Sequence, residues 1–144
     1  MTRAVSFIIP TLNEAAVIRE LLADLRTRFP GAQLIVVDGG SDDGSLEFAK
    51  NAYDQLLHGG RGRANQMNLG ARTASGDYLC FLHADSRPTF DSRQLQAYLS
   101  TSPDWGFCRV LLDSDGLAFR TIEWFINQRS RLTSIGTGDQ MLFL

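Results

Sequence analysis

The chain is 144 residues long, 44% apolar and 21% charged, with a formal net charge of −2. That length fits one domain with a core large enough to fold without disulfides or metals. Nothing in the near-neutral charge points to nucleic acid as a polyanionic partner, and no apolar run approaches the ~18 residues of a membrane-spanning helix.

The first predicted strand is "AVSFIIP", Ala4 to Pro10, which Pro10 stops. "TLNEAAVIRELLADLRTRF" follows with Val17, Leu21, Leu22 and Leu25 at helical spacing; Thr11 or Asn13 is the predicted N-cap and Glu14 falls in the first turn. "QLIVVD" (33–38) is a nearly all-apolar strand, as in a parallel sheet covered on both faces. A short helix, "SLEFAKNA", and a weak strand, "YDQLLH", come next. "GRGRANQMNLGARTA" reads as a glycine-led loop feeding a helix, and "DYLCFLH" as a strong strand ending at "HADSRP". The remainder reads as helix "SRQLQAYLS", strand "WGFCRVLLD", long helix "LAFRTIEWFINQRSRL" and a last strand in "GDQMLFL". Strands alternating with helices predict an α/β fold with a mainly parallel sheet. The apolar run Met141 to Leu144 ends the chain without a polar tail. It reads either as an edge strand or, the favoured reading, as a sign that the chain is a portion of a longer protein.

Cys80 and Cys108 lie inside apolar runs and read as small buried hydrophobes in a reducing compartment. The N-terminal apolar stretch is too short for a signal peptide, so cytoplasm is the default location.

In an open α/β sheet a ligand sits beyond the carboxyl ends of the strands. Three predicted strands end in small, polar or acidic residues, in "IIPTLNE", "VVDGGSDDGS" and "FLHADS". Asp38 ends its strand where a carboxylate can accept from a base N–H or a ribose hydroxyl. Gly39 and Gly40 would let a ligand approach the backbone. A plain turn with a helix cap is the competing reading of the same residues. Asp85 stands within reach of a diphosphate and a hard divalent cation, which often takes one or two carboxylates plus phosphates and waters. His83, two residues earlier, is a candidate second ligand that would favour Mn²⁺ over Mg²⁺; a satisfied buried histidine is the competing reading. Arg61 and Arg63, ahead of a helix, suit phosphate oxygens. The dinucleotide and Walker A glycine patterns are absent.

"SFIIPTLNEA", "IVVDGGSDDGS", "GRANQMNLGARTASGDYLCFLHADS" and "GDQMLFL" run in the order of the family 2 glycosyltransferases of the GT-A fold, which the chain resembles over nearly its whole length. The wording is most similar to a small bacterial subgroup of family 2-like transferases. The resemblance implies a Rossmann-like, mainly parallel sheet flanked by helices, with residues 1–88 as the nucleotide-binding part and 89–144 as the start of an acceptor-side part. It implies a nucleotide-diphosphate sugar donor, a divalent cation and transfer with inversion. By position, Pro10, Thr11, Glu14 and Asp38 would line the base and ribose, with Gly39 also in the nucleotide-sugar site, and Arg61 and Arg63 would sit near the ribose or diphosphate. Asp85 would hold the metal, with His83 only as the candidate second ligand already weighed, and Asp139 would be the general base. Two departures stand out. Gly39 occupies the place of a second aspartate, and His83 that of the first aspartate of the D-x-D segment.

The long helix mixes Phe119, Ile122, Trp124, Phe125 and Ile126 with Arg120, Arg129 and Arg131. It reads as an ordinary core or dimer-interface helix, or as one lying on the inner face of an anionic membrane and serving a lipid-linked acceptor. The alternative to a transferase is a non-catalytic module that binds a nucleotide sugar.

Overall fold

The computed structural model describes residues 2–114, 116–133, 135–136 and 140–144, with Ser45 and Phe48 described by their backbone alone. The elements are β1 (Val5–Thr11), α1 (Ile18–Arg28), β2 (Gln33–Asp38), α2 (Ser45–Phe48), β3 (Gln55–His58), α3 (Arg63–Thr73), β4 (Tyr78–Phe81), α4 (Ser92–Leu99), β5 (Gly106–Phe107), α5 (Leu117–Thr133) and β6 (Leu142–Phe143). Among the described residues the strands form one sheet in the order β3-β2-β1-β4-β6-β5. The β3-β2-β1-β4 portion is parallel, and β6 runs antiparallel to both of its neighbours. This is the mixed α/β, mostly parallel architecture that the alternating pattern predicts.

The alternation of side chains along a strand divides the core in two. Phe7, Ile9, Leu34 and Val36 face the side covered by Ile18, Leu21, Leu22 and Leu25 of α1 and by Leu95 and Leu99 of α4. Ile8, Ile35, Val37 and Phe81 face the other side, where Met67 and Leu69 of α3 pack. Leu22 and Leu25 are fully buried, and each such side chain contributes about 2 kcal/mol relative to exposure. A Cβ on Gly70 of α3 would lie 2.5 Å from Ile8 Cγ2, so only glycine lets the helix sit this close to the sheet. That close approach carries the start of α3 up to the strand ends.

Several local expectations are corrected. Pro10 does not stop β1, which continues to Thr11. The Ile8 carbonyl accepts from Leu82 and the Thr11 carbonyl from Gly39. The backbone of Pro10 therefore faces the β4 side, where pairing has already ended at Ile8 and no N–H is required. The first helix starts only at Ile18, with Val17 at the N-cap position and no side-chain cap. Thr11 instead donates its hydroxyl to the Ile9 carbonyl, and Asn13, at φ +57°, accepts from Asp42 N–H. Glu14 precedes the helix, its carbonyl accepting from Val17 and Ile18, and the first-turn acid is Glu20. The strand predicted from Trp105 to Asp113 shrinks to Gly106–Phe107. Met141 to Leu144 is not an edge, because β6 lies between β4 and β5. Cys80 is buried and Cys108 half-buried, both as free thiols. Burial pushes the Cys108 thiol up to about 11, and that of Cys80 further.

The long helix is not an ordinary core helix. Its buried positions are polar, Glu123, Asn127 and Ser130. Asn127 exchanges two hydrogen bonds of 2.9 Å with the backbone of Val110, and Glu123 accepts from Leu112 N–H. These bonds strap the segment after β5 to α5 in place of the longer strand. Phe119, Ile122, Trp124 and Phe125 point outward and are about half exposed, at 47, 49, 56 and 62%.

Candidate active site

Because β2, β1 and β4 are adjacent and parallel, their carboxyl ends form one rim, and the three unusual strand ends meet there. Asp38 closes β2 with a side chain only 4% exposed. Its carboxylate accepts from Gly40 N–H (3.0 Å), Ser41 N–H (3.0 Å) and the Ser41 hydroxyl (2.6 Å). His58 Nδ1, from the end of β3, stands 3.5 Å away. Burial acts to raise the Asp38 pKa, but the Ser41, Gly40 and His58 hydrogen bonds outweigh it and hold the carboxyl below its ordinary value. The carboxylate thus spends most of its acceptor capacity bracing the loop that follows, where Gly40 takes φ +96° with open space around it.

The loop after β1 is tied to the loop after β2. Asn13 N–H donates to Ser41 Oγ at 3.0 Å, Asp42 N–H to Asn13 Oδ1 at 3.0 Å, and Ala15 N–H to Asp43 Oδ2 at 2.9 Å. The tie carries Glu14 toward the rest of the rim. Burial, then the negative charges of Asp85 and Asp43, push the Glu14 carboxyl above its ordinary value, with Arg63 pulling it back. Glu14, Asp85 and Arg63, far apart in the chain, are therefore electrostatic neighbours.

Pro10, Arg63 and His83 line one small cavity of about 40 Å³, together with Met67, Phe81, Leu82, Gln140 and Leu142. Thr11 is buried at the end of β1, and Arg61 is exposed on the loop before α3. Gly39 sits behind the rim, its N–H given to the Thr11 carbonyl at 2.8 Å. Asp139 lies outside the described residues. Among the described residues no group of three metal-ligating side chains occurs. Asp85 suits a hard cation in the mode that takes one or two carboxylates and completes its shell with phosphate and water; the crowding of negative charge around Glu14 is chemistry that a cation relieves.

Two residues escaped the sequence reading. His58 carried a signal, standing at the end of a predicted strand beside Asp38. Gln66 carried none, being a polar residue on the inward face of α3. It is 4% exposed and donates to the carbonyls of Thr11 (2.9 Å) and Val37 (2.7 Å).

A parallel α/β sheet with a polar, partly acidic rim at its carboxyl ends and an arginine-led helix beside it is an open α/β domain of the kind that takes a ligand beyond its strand ends. Residues 6–132 match the family described as glycosyl transferase family 2, and the chain belongs to that family. Over 88 residues it is 40% identical to a PGL/p-HBAD biosynthesis glycosyltransferase of Mycobacterium bovis, covering 56% of this chain and 34% of that protein. The fold matches a mannosyltransferase from Pyrobaculum calidifontis, solved with GDP-Man and Mn²⁺, with a TM-score of 0.74 at 22% identity over 99% of this chain and 45% of that one. It also matches glucosyl-3-phosphoglycerate synthase from Mycobacterium tuberculosis, solved with Mn²⁺, UDP-Glc and phosphoglyceric acid, with a TM-score of 0.50 at 26% identity over 58% of this chain and 33% of that one. The chain spans about a third of the length of that mycobacterial relative, at 34%.

Proposed function

We propose that this chain carries the donor side of an inverting, metal-dependent glycosyltransferase that uses a nucleotide-diphosphate sugar. The observation that carries the reading is the convergence of Asp38, Glu14, Asp85 and Arg63 on one rim of the parallel sheet. Residues 1–88 take the nucleotide and 89–144 begin the acceptor side. Pro10, Thr11, Glu14 and the loop held by Asp38 and Gly39 shape the base and ribose pocket. Arg63, with Arg61, meets the diphosphate at the start of α3. Asp85 would hold a divalent cation, Mn²⁺ or Mg²⁺, with His83 as the candidate second ligand. Bound there, the cation supplies neutralisation of the diphosphate charge.

In the reaction, the acceptor hydroxyl oxygen bonds to the anomeric carbon from the face opposite the leaving group. The bond from that carbon to the diphosphate oxygen breaks, and the electron pair leaves with the nucleoside diphosphate. Asp139 takes the hydroxyl proton.

A thermal-shift titration with UDP, GDP, CDP and dTDP, with and without Mn²⁺, tests the reading. One nucleotide is expected to raise the melting temperature only with metal, by an amount reflecting about 2.7 kcal/mol at a hundredfold excess over Kd. Asp85→Ala is expected to abolish the shift. A flat response to all four nucleotides overturns the donor site.

The outward face of α5 is proposed to meet an anionic lipid surface, which suits a lipid-linked acceptor. Trp124 and Phe125 supply apolar contact area, and Arg129 and Arg131 are exposed on the same helix; each basic residue near such a surface adds about 1 kcal/mol. No described helix is long and apolar enough to cross a membrane. The chain is expected to sediment with phosphatidylglycerol vesicles, weakly with phosphatidylcholine vesicles, and with neither after Trp124→Glu and Phe125→Glu together. A concentration-dependent dimer dissolved by the same substitutions, without vesicle binding, would instead assign the face to a second copy.

A further inference from the structure

Gly39 stands where the family pattern puts an aspartate, and its backbone does not explain the exchange. The positive-φ glycines among the described residues are Gly31, Gly40, Gly44, Gly60 and Gly62, so position 39 takes a conformation open to any residue. The obstacle to a side chain is a neighbour. A Cβ at position 39 would lie 3.1 Å from Gln66 Nε2 and 3.4 Å from both Cδ and Oε1, over the face of the amide.

That amide is committed. Gln66 is 4% exposed, and its nitrogen donates to the Thr11 carbonyl at 2.9 Å and the Val37 carbonyl at 2.7 Å. With a carbonyl oxygen on each of those contacts, only the NH₂ end can face them. Thr11 is the last residue of β1, and Val37 directly precedes Asp38 at the end of β2. The Thr11 carbonyl also receives Gly39 N–H at 2.8 Å. One buried side chain from α3 therefore ties together the two strand ends from which the nucleotide loops depart. It does so at the point where the regular ladder between them stops.

We propose that Gln66 is a positioning residue of the donor site, setting the spacing of the β1 and β2 ends and hence of Thr11 and the Asp38 loop, and that position 39 is glycine in order to admit its amide. The inference rests on the donor-site reading above. Gln66 acts through Thr11, Val37 and Gly39, and no contact with substrate is assigned to it.

The test is calorimetric titration of the chain with UDP, GDP, CDP and dTDP, each with Mn²⁺, alongside a melting curve for every variant. Gln66→Met fills the same volume without donors. It is expected to bind nucleotide about tenfold more weakly at a temperature where its melting curve shows it fully folded. Gly39→Ala is expected to weaken binding severalfold when Gln66 is present and to add nothing in the Gln66→Ala background, a non-additivity that marks direct coupling. This cycle stays informative if Gln66→Met folds poorly. A Gln66→Met variant with a lower melting temperature but unchanged affinity makes the residue merely structural and overturns the proposal. So does an equal cost of Gly39→Ala in both backgrounds. If the unsubstituted chain binds none of the four nucleotides, the donor-site reading falls, and this inference with it.

Discussion

Asp139→Asn is expected to cut turnover by about 10²- to 10⁴-fold, the usual worth of a positioned general base, while leaving nucleotide affinity within about twofold. The amide keeps the size of the carboxylate but cannot take the acceptor proton. The base acts on the acceptor oxygen rather than on the donor, so the loss should fall on kcat and not on donor binding. The measurement is sugar transfer from a radiolabelled nucleotide sugar, run beside a donor titration on the same preparation. An Asp139→Asn variant that transfers sugar at the unsubstituted rate would remove Asp139 from the chemistry. A chain that binds donor tightly and shows no turnover with or without the substitution would favour the nucleotide-sugar-binding module over the enzyme.

Asp38→Ala is expected to lower stability by about 2–4 kcal/mol and to lower nucleotide affinity with it. The substitution leaves Gly40 N–H, Ser41 N–H and the Ser41 hydroxyl without the acceptor they share. The loop after β2 loses its brace, and through Asn13 and Ser41 so does the loop after β1. Acid gives a second signature. The folded-state pKa of Asp38 is depressed, because the hydrogen bonds from Ser41 and Gly40 outweigh the opposing effect of burial. Its contribution to stability is therefore complete above the unfolded value of about 3.9 and drains away as the pH falls through the lower folded value. Asp54, also depressed, drains in the same direction in every variant. The difference in unfolding free energy between the unsubstituted chain and Asp38→Asn should thus be flat from about pH 5 to 7 and shrink below pH 4. Chemical denaturation across that range measures it. A difference independent of pH down to 2 would mean that the Asp38 carboxylate is not held ionised by its loop.

The parts that were legible in sequence are those that local chemistry writes. β2 reads as Val and Ile ended by aspartate, and the strand runs from Gln33 to Asp38 as predicted. α3 reads as a glycine-led helix, and it starts at Arg63, directly after Gly62 at φ +116°. The rim was legible because strands separated by helices are almost obliged to run parallel, which brings their ends to one side. The start of α1 was misread because Thr11 and Asn13 are good N-caps in isolation. Here one is drawn into the sheet and the other spends its side chain on Asp42, 29 residues away. Helical spacing could not reveal the inverted face of α5 either. The partners of Glu123 and Asn127 are backbone groups of Leu112 and Val110, and an apolar stripe carries no label saying whether a core lies in front of it.

By itself, then, the sequence determined the alternation of elements, the hydrophobic identity of β1 and β2, the family, and the residue types that end each strand. Those follow from period, propensity and composition, which act over a few neighbouring residues. The tertiary structure decided which of those residues meet. It set Glu14 in the field of Asp85 and Asp43, placed His58 beside Asp38, put β6 inside the sheet rather than at its edge, and closed the amide of Gln66 over Gly39. Each is a contact between segments distant in the chain. Such contacts depend on packing and strand order, which no local pattern of side chains encodes.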